Sequence, residues 1–260
     1  MKFIQTAERV SDTDLSDNYV FQRSLLAYME AAKLVQANVL EIGTGSGYGV
    51  KIISPLTEKF VTIDKFENRN VLDKILKDKK NVQFIKMNVP PLADIDDNTF
   101  DFVISFQVIE HIANDKKLVA EIHRVLKKGG KFIVTTPNKK MSLTRNPWHV
   151  REYTIDELDN LLSEHFASIE KFGVFGNDKI MDYYRQNKKS VEKITRFDIF
   201  NLQYRLPRQL LQIPYDILNR INRKKLLKNN TSLVSTISKD DYYLDKANDE
   251  CFDLFFIAKK

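Results

Sequence analysis

The sequence has a single cysteine and no long apolar run. These two features exclude some classes of protein, namely disulfide-rich and membrane-spanning proteins. Cys251 is the single cysteine among 260 residues, which excludes an internal disulfide framework and fits a reducing compartment. No apolar run approaches the roughly 18 residues that predict a membrane span. The first residues are mixed and polar, without the apolar core of a signal peptide. A cytoplasmic globular protein is therefore expected.

Positive charge is concentrated in one segment. The formal net charge of the chain is +6. Residues 179–228 hold 13 Lys or Arg and 4 Asp or Glu, a net charge of +9, so the remainder is near −3. The basic character therefore belongs to this segment rather than to the whole fold.

A glycine-rich stretch, Val39 to Gly49, is the most informative part of the chain. It reads Val-Leu-Glu-Ile-Gly-Thr-Gly-Ser-Gly-Tyr-Gly. An apolar run that ends in Glu41 and then turns through Gly43, Gly45 and Gly47 is typical of a buried strand entering a nucleotide-binding loop. Glycine suits such a loop because a side chain would block a closely approaching ligand. The dinucleotide fingerprint G-x-G-x-x-G fits in no frame, which disfavours an NAD-linked enzyme.

Strand and helix patterns alternate along the chain. Predicted helices cover residues 14–37, 48–54, 67–77, 116–126 and 154–163, and predicted strands cover 39–42, 60–63, 82–86, 100–105, 131–136, 168–174 and 252–258. This alternation predicts an α/β fold with a doubly wound, mostly parallel sheet of seven strands.

The basic segment interrupts this pattern before the last strand. Residues 177–249 are too long for an ordinary connection, so we expect a helical insertion in a domain built from 1–176 and 250–260. Apolar and basic residues are interleaved, and Pro207 and Pro214 are expected to divide the segment into short helices. Three roles are possible for the segment, given in order of preference. It forms a lid over the acceptor or a dimer contact, it rests on an anionic membrane surface, or it contacts nucleic acid.

The acid-x-Gly-x-Gly-x-Gly pattern resembles the first motif of the class I S-adenosylmethionine (SAM) methyltransferases. Residues 101–112 and 127–138 are similar to the strand-four and strand-five motifs of the same superfamily. The resemblance implies SAM as cofactor, with Asp64 on its ribose and Asn88 where the family often has an acid near adenine. The implied cofactor-binding residues are Glu41, Gly43, Thr44, Gly45, Gly47, Tyr48, Asp64, Lys65, Asn88, Val89, Phe106 and Gln107.

The pair Glu110 and His111 resembles that of the ubiquinone-biosynthesis O-methyltransferases, and the pair together with His149 resembles the small-RNA 2′-O-methyltransferases. In those groups the residues matching Glu110 and His111 help to bind a divalent cation beside the acceptor hydroxyl. Gln107 stands where the family has its first acidic ligand, and Mg²⁺ prefers charged oxygen ligands, so a site without metal is favoured. Either histidine is then a candidate general base, with Glu110 as the third catalytic candidate.

The acceptor expected from this resemblance is a hydroxyl of a small molecule, glycan precursor or lipid-like compound. The alternatives are an RNA 2′-hydroxyl methylated with a divalent metal, and a protein that binds SAM without catalysis. Nucleic acid is the least favoured partner, because the basic segment is interleaved mostly with aliphatic residues and offers no stacking platform.

Overall fold

An eight-stranded sheet runs through the computed structural model, which describes residues 10, 13–67, 72–73, 76–77 and 79–260. The strands are β1 Asn38–Ile42, β2 Lys59–Asp64, β3 Val82–Lys86, β4 Phe100–Phe106, β5 Leu126–Pro137, β6 Ser168–Gly176, β7 Tyr242–Lys246 and β8 Asp253–Lys259. Their order across the sheet is β3-β2-β1-β4-β5-β8-β6-β7. β8 is antiparallel to both its neighbours and β7 is antiparallel to β6, so six strands share one direction. The α/β fold with a mostly parallel sheet is confirmed.

Helices cover both faces of the sheet. They are α1 Asn18–Ala32, α2 Tyr48–Ile52, α3 Asp115–Val125, α4 Ile155–Ser163, α5 Asp178–Thr195, α6 Leu202–Arg205, α7 Arg208–Asn229 and α8 Thr231–Thr236. Buried side chains of α1, α2, α5, α7 and α8 share one apolar core, and those of α3 and α4 share the other. The central strands are covered on both faces, which explains why consecutive residues are apolar and buried in β1, at 39–40, and in β4, at 102–104.

The inserted segment differs from its prediction in two respects. Residues 242–246 form β7, an eighth strand, because the outer edge of β6 offers unpaired backbone groups to an extended segment. Pro214 lies inside α7 rather than ending it. A proline removes one amide donor, and the turns on either side keep the helix continuous for 22 residues.

Helix boundaries also differ at the start of the chain. The helix predicted over 14–37 is a short 3-10 turn, Leu15–Asp17, followed by α1, which ends at Ala32. The helix predicted over 67–77 falls largely outside the described residues. None of the described helices is both long and apolar enough to cross a membrane.

An ion-pair cluster fastens the insertion to the N-terminal part of the domain. The carboxylate of Asp17, which is fully buried, accepts hydrogen bonds from Arg220 at 3.0 Å and Arg223 at 2.9 Å. Both arginines of the basic segment therefore face inward. Pairing with the two guanidinium groups offsets the free-energy cost of burying the charged carboxylate of Asp17. The insertion is thus packed against α1 rather than tethered at its ends alone.

Candidate cofactor and acceptor site

The glycine loop joins β1 to α2 at the edge of the sheet where the parallel strands end. Gly43, Gly45 and Gly47 have φ values of +97°, +51° and +80°, which glycine adopts without the cost that a side chain adds. A Cβ on Gly43 would lie 2.5 Å from Val108 Cγ2, whereas a Cβ on Gly45 would meet no atom within 4 Å. The loop therefore presents bare backbone at Gly45 to an open space, as a cradle for a ligand does.

Glu41 lies beneath this loop rather than in the open space. Its carboxylate is 1% exposed and accepts hydrogen bonds from Tyr28 Oη at 3.0 Å and Thr62 Oγ1 at 2.5 Å. Thr44 is also buried, and its hydroxyl lies 2.6 Å from that of Thr62. Because Thr62 donates to Glu41, Thr44 must donate to Thr62. The side chains of Glu41 and Thr44 therefore support the loop from below.

The ionisation of Glu41 should make the stability of the protein depend on pH. Burial raises the pKa of Glu41 to about 8, against the opposing effect of its hydroxyl donors. A folded-state pKa above the unfolded value stabilises the fold at low pH, and this stabilisation is lost as the pH rises from about 4.5 to about 8. Urea unfolding at a series of pH values should show Glu41→Gln without this decline, whose slope is at most about 1.4 kcal/mol per pH unit. Parallel pH profiles for the two proteins would contradict the assignment.

Asp64 ends β2 directly beside the glycine loop. One carboxylate oxygen accepts from the amide of Gly45 at 3.1 Å, and the other accepts from the amide of Phe66 at 2.9 Å. A carboxylate has about four lone-pair sites, so it can accept hydroxyl donors in addition. The predicted partnership of Asp64 with a ribose is therefore compatible with the geometry.

The remaining predicted cofactor residues surround the same edge. Asn88 is exposed and Val89 is half-buried after β3. Lys65 is exposed, with its ammonium 5.0 Å from the centre of the Phe66 ring. Tyr48 begins α2 and packs on aromatic rings of α1. Phe106 ends β4 with its ring edge-on to Tyr28 at 4.9 Å. They all lie near the ends of β1 to β4, and their contacts with SAM stay a prediction.

A cavity of about 640 Å³ lies between the sheet edge and the insertion. Its lining includes Tyr19, Arg23, Gln107, His149, Glu152 and Tyr183. The cavity is bounded by α1, α5, α7 and the loop that follows β5. The insertion therefore forms one wall of a partly open cavity that is large enough for a small molecule.

Gln107 connects the end of β4 to this cavity. It has φ +56°, and its side chain donates to Thr135 Oγ1 at 3.3 Å. Asp253 is buried, pairs with Arg23 at 2.9 Å, and has a pKa raised by burial. Tyr19, which packs beside this pair, has a buried hydroxyl without a hydrogen-bond partner. The polar floor of the cavity thus comes from residues more than 200 positions apart, a grouping that no local sequence signal reveals.

The protonation of His149 follows from its neighbours. Asn146 Oδ1 accepts from the amide of Trp148 at 3.0 Å, which orients its Nδ2 toward His149 Nε2 at 2.9 Å. Nε2 is then the acceptor, so Nδ1 carries the proton and donates to Glu152 Oε1 at 2.7 Å. Glu152 also accepts from the hydroxyl of Ser142. A carboxylate that orients an imidazole in this way is a familiar arrangement for a general base.

Sequence reasoning missed the role of Glu152, although the spacing His-x-x-Glu could have indicated that this carboxylate orients His149.

His111 was predicted together with His149, and their rings lie edge-on with centres 5.0 Å apart. His111 Nδ1 lies 3.1 Å from the carbonyl oxygen of Trp148 and donates to it, so a neutral ring has its lone pair on Nε2. Only His149 lines the cavity. The structure therefore brings the two histidines together but gives them different surroundings.

Glu110, His111 and His149 also converge as potential metal ligands. One ligand atom from each residue lies within 4.8 Å of the other two. Glu110 is buried and accepts from Thr136 Oγ1 at 3.1 Å. Two imidazoles and one carboxylate suit a transition metal better than Mg²⁺, which favours oxygen ligands. A metal at this place would also have to displace the Asn146 amide from His149.

Comparison with known proteins identifies the class of this fold and cleft. The methyltransferase-domain family matches residues 40–134. A probable S-adenosylmethionine-dependent methyltransferase of Mycolicibacterium smegmatis is 32% identical over 177 residues, which are 65% of this chain and 68% of that protein. The chain belongs to the SAM-dependent methyltransferase family. It spans about two thirds of the length of the mycobacterial relatives it matches.

Two further similarities agree with this assignment. A mitochondrial ubiquinone biosynthesis O-methyltransferase of Dictyostelium discoideum is 28% identical over 114 residues, which are 39% of this chain and 36% of that protein. The predicted resemblance to that group is confirmed. A possible histamine N-methyltransferase of Thermotoga maritima has a TM-score of 0.53 at 15% identity, covering 94% of this chain and 91% of that one. At this identity the structural match concerns the fold.

Proposed function

We propose that the protein transfers the methyl group of SAM to a hydroxyl oxygen of an acceptor bound in the cavity. The observation that carries this proposal is the His149–Glu152 pair, which lines the same cavity as Gln107 at the end of β4. An alcohol or phenol must lose a proton to become a methyl ether, and a positioned imidazole can take it. A small molecule, glycan precursor or lipid-like compound with a hydroxyl is the acceptor class.

The residues of the chain divide the work between cofactor and acceptor. SAM supplies an electrophilic methyl group, and the Gly45 backbone and Asp64 would hold it at the strand ends. The catalytic contribution of the protein is mainly positioning, because methyl transfer is an in-line displacement. His149 Nε2 would receive the acceptor proton once the hydroxyl displaces the Asn146 amide. Glu152 stabilises the imidazolium formed at that moment.

The decisive experiment is an acceptor screen that measures release of S-adenosylhomocysteine. Alcohols, phenols, glycan precursors and lipid extracts are offered with and without divalent cations. Calorimetry with SAM and with S-adenosylhomocysteine measures cofactor binding independently. Turnover with a hydroxyl acceptor supports the proposal and eliminates the alternative of a protein that only binds SAM. Failure to bind either nucleoside overturns the proposal itself.

Replacing Asp64 with alanine should weaken SAM binding by about 10- to 100-fold. The carboxylate is the acidic group beside the glycine loop at the end of β2, and each charge-assisted hydrogen bond contributes about 1.5–3 kcal/mol. Calorimetric titration of both proteins tests this expectation. Asp96→Ala, which removes an exposed acid away from the glycine loop, is a suitable control. Equal affinities for SAM would remove Asp64 from the cofactor site.

Convergence of Glu110, His111 and His149 favours a second candidate, metal-assisted methylation of an RNA 2′-hydroxyl. A bound cation would lower the pKa of the ribose hydroxyl and so replace the general base. Activity that requires Mn²⁺, Co²⁺ or Mg²⁺ and is abolished in Glu110→Gln would favour this candidate. Activity that persists in a chelator favours the metal-free mechanism.

A further inference from the structure

The outer face of α7 carries an apolar stripe that nothing in the described structure covers. Leu210, Ile213, Ile217 and Ile221 are spaced three or four residues apart, so they lie on one side of the helix. Their exposed fractions are 64%, 69%, 54% and 57%. An isolated exposed aliphatic residue is ordinary, but an aligned series of four marks an interaction surface.

The segment that precedes α7 extends this surface. Phe197, Ile199, Phe200 and Tyr204 are 73%, 82%, 68% and 62% exposed. Large apolar side chains at such exposure are unfavourable in water, because they forgo the free energy gained by burial. We call these four residues and the α7 stripe the apolar ridge.

Exposed basic residues lie next to the apolar ridge along the chain, at both of its ends. Lys224, Lys225 and Lys228 are exposed and continue the stripe along the last turns of α7. Arg196 and Arg205 are exposed near its other end. Apolar side chains between basic ends match a bilayer with anionic headgroups, which attract each nearby cation.

A second copy of the chain fits this surface less well. An antiparallel two-fold pairing centred between Ile213 and Ile217 would bring Lys224 and Lys228 toward Arg205 of the partner. The juxtaposed charges would have the same sign, which disfavours the pairing. An anionic bilayer has the complementary charge for every basic residue of the surface.

The apolar ridge also adjoins the acceptor cavity. Leu202 and Leu218 are exposed at 44% and 46%, and both line the cavity. The same short stretch of chain thus forms part of the outer apolar surface and part of the chamber wall. A protein seated on a bilayer by this surface would have the cavity entrance close to the lipid headgroups.

We infer that the apolar ridge docks onto an anionic lipid bilayer and that the acceptor is an amphiphile which enters the cavity from it. The nature of the acceptor rests on the proposed methyl transfer, whereas docking does not. Ile213 and Ile217 would insert among the acyl chains, and the lysines of α7 would contact anionic headgroups. Docking should therefore weaken when the ionic strength increases.

Vesicle flotation tests docking with the full-length chain. The probes are vesicles of phosphatidylcholine with phosphatidylglycerol, and of phosphatidylcholine alone. We expect binding to the mixed vesicles, reduced at least about tenfold in Ile213→Glu/Ile217→Glu and again in Lys224→Glu/Lys228→Glu. The matched controls are Leu34→Glu/Leu56→Glu and Lys59→Glu/Lys80→Glu, which alter exposed residues elsewhere and should bind as wild type does.

Calorimetry measures SAM binding by every variant. A variant that still binds SAM is folded, so its loss of vesicle binding reports on docking alone. A wild-type protein that binds SAM but no vesicle overturns docking and leaves methyl transfer intact. Binding that survives the isoleucine substitutions also overturns it. A concentration-dependent dimer, dissociated by the isoleucine substitutions and without vesicle binding, would assign the ridge to a second copy. Loss of flotation confined to the ridge variants supports the inference.

Discussion

Replacing His149 with alanine should lower the rate of methyl transfer by about 10²- to 10⁴-fold. The reason is that Nε2 of this ring, oriented as a hydrogen-bond acceptor by Glu152 and Asn146, lines the cavity in which the proposed function places the acceptor. SAM affinity should change little, because the ring lies among acceptor-side residues. The measurement is S-adenosylhomocysteine release under saturating SAM, with calorimetry for SAM on the same preparations.

Two further variants sharpen this test. His165→Ala removes an exposed histidine outside the cavity and should keep full activity. Glu152→Gln keeps a hydrogen-bond acceptor for Nδ1 but loses the charge, so an intermediate loss of kcat is expected with KM little changed. An activity in His149→Ala equal to wild type would exclude the residue as general base. A loss of SAM binding in that variant would instead place the histidine in the cofactor site.

Gly49→Ala should destabilise the fold by about 3 kcal/mol, although alanine is the better helix former. An added Cβ at this position would overlap Glu41 Oε1 and lie 2.5 Å from its Cδ. The carboxylate cannot move aside without breaking its hydrogen bonds to Tyr28 and Thr62. Helix propensity favours alanine over glycine by only about 1 kcal/mol, so the overlap decides the sign.

The control for this prediction is Gly45→Ala in the same loop. A Cβ there meets no protein atom, and a φ of +51° costs a side chain only about 1–2 kcal/mol. Urea unfolding should therefore show the larger loss for Gly49→Ala, whereas calorimetry should show the larger loss of SAM affinity for Gly45→Ala. Adding Glu41→Ala to Gly49→Ala should restore part of the lost stability, as a double-mutant cycle would show. Equal stability of the two single variants would refute the proposed overlap.

Local patterns explain which parts of the fold were predictable. Period and composition mark strands and helices over a few residues, so β1 to β6, β8 and the capping box at Thr154 follow from neighbouring residues. β7 was missed because a short mixed strand is stabilised by the edge it joins. Continuity of α7 through Pro214 was missed because packing and the flanking turns outweigh one lost hydrogen bond.

The candidate site likewise has parts that were predictable from the sequence and parts that were not. The glycine loop and Asp64 were predictable, because a tight loop requires glycine and a strand end fixes where its acid points. The orientation of Glu41 was not, because it depends on Tyr28 from α1 and Thr62 from β2. Glu152 and Asn146 gain their roles only when the loop after β5 folds back over the cavity.

By itself, the sequence determined the methyltransferase class, since the spacing of three glycines and the alternation of elements are local properties. The tertiary structure decided which basic side chains are exposed on the surface and which are paired inside the protein. Arg220 and Arg223 are drawn inward by a buried carboxylate, whereas Lys224 and Lys228 stay on the surface beside the apolar ridge. Arg223 and Lys228 lie about 140° apart around α7, because a helix rotates about 100° per residue, so the side packed against the domain takes one and leaves the other exposed.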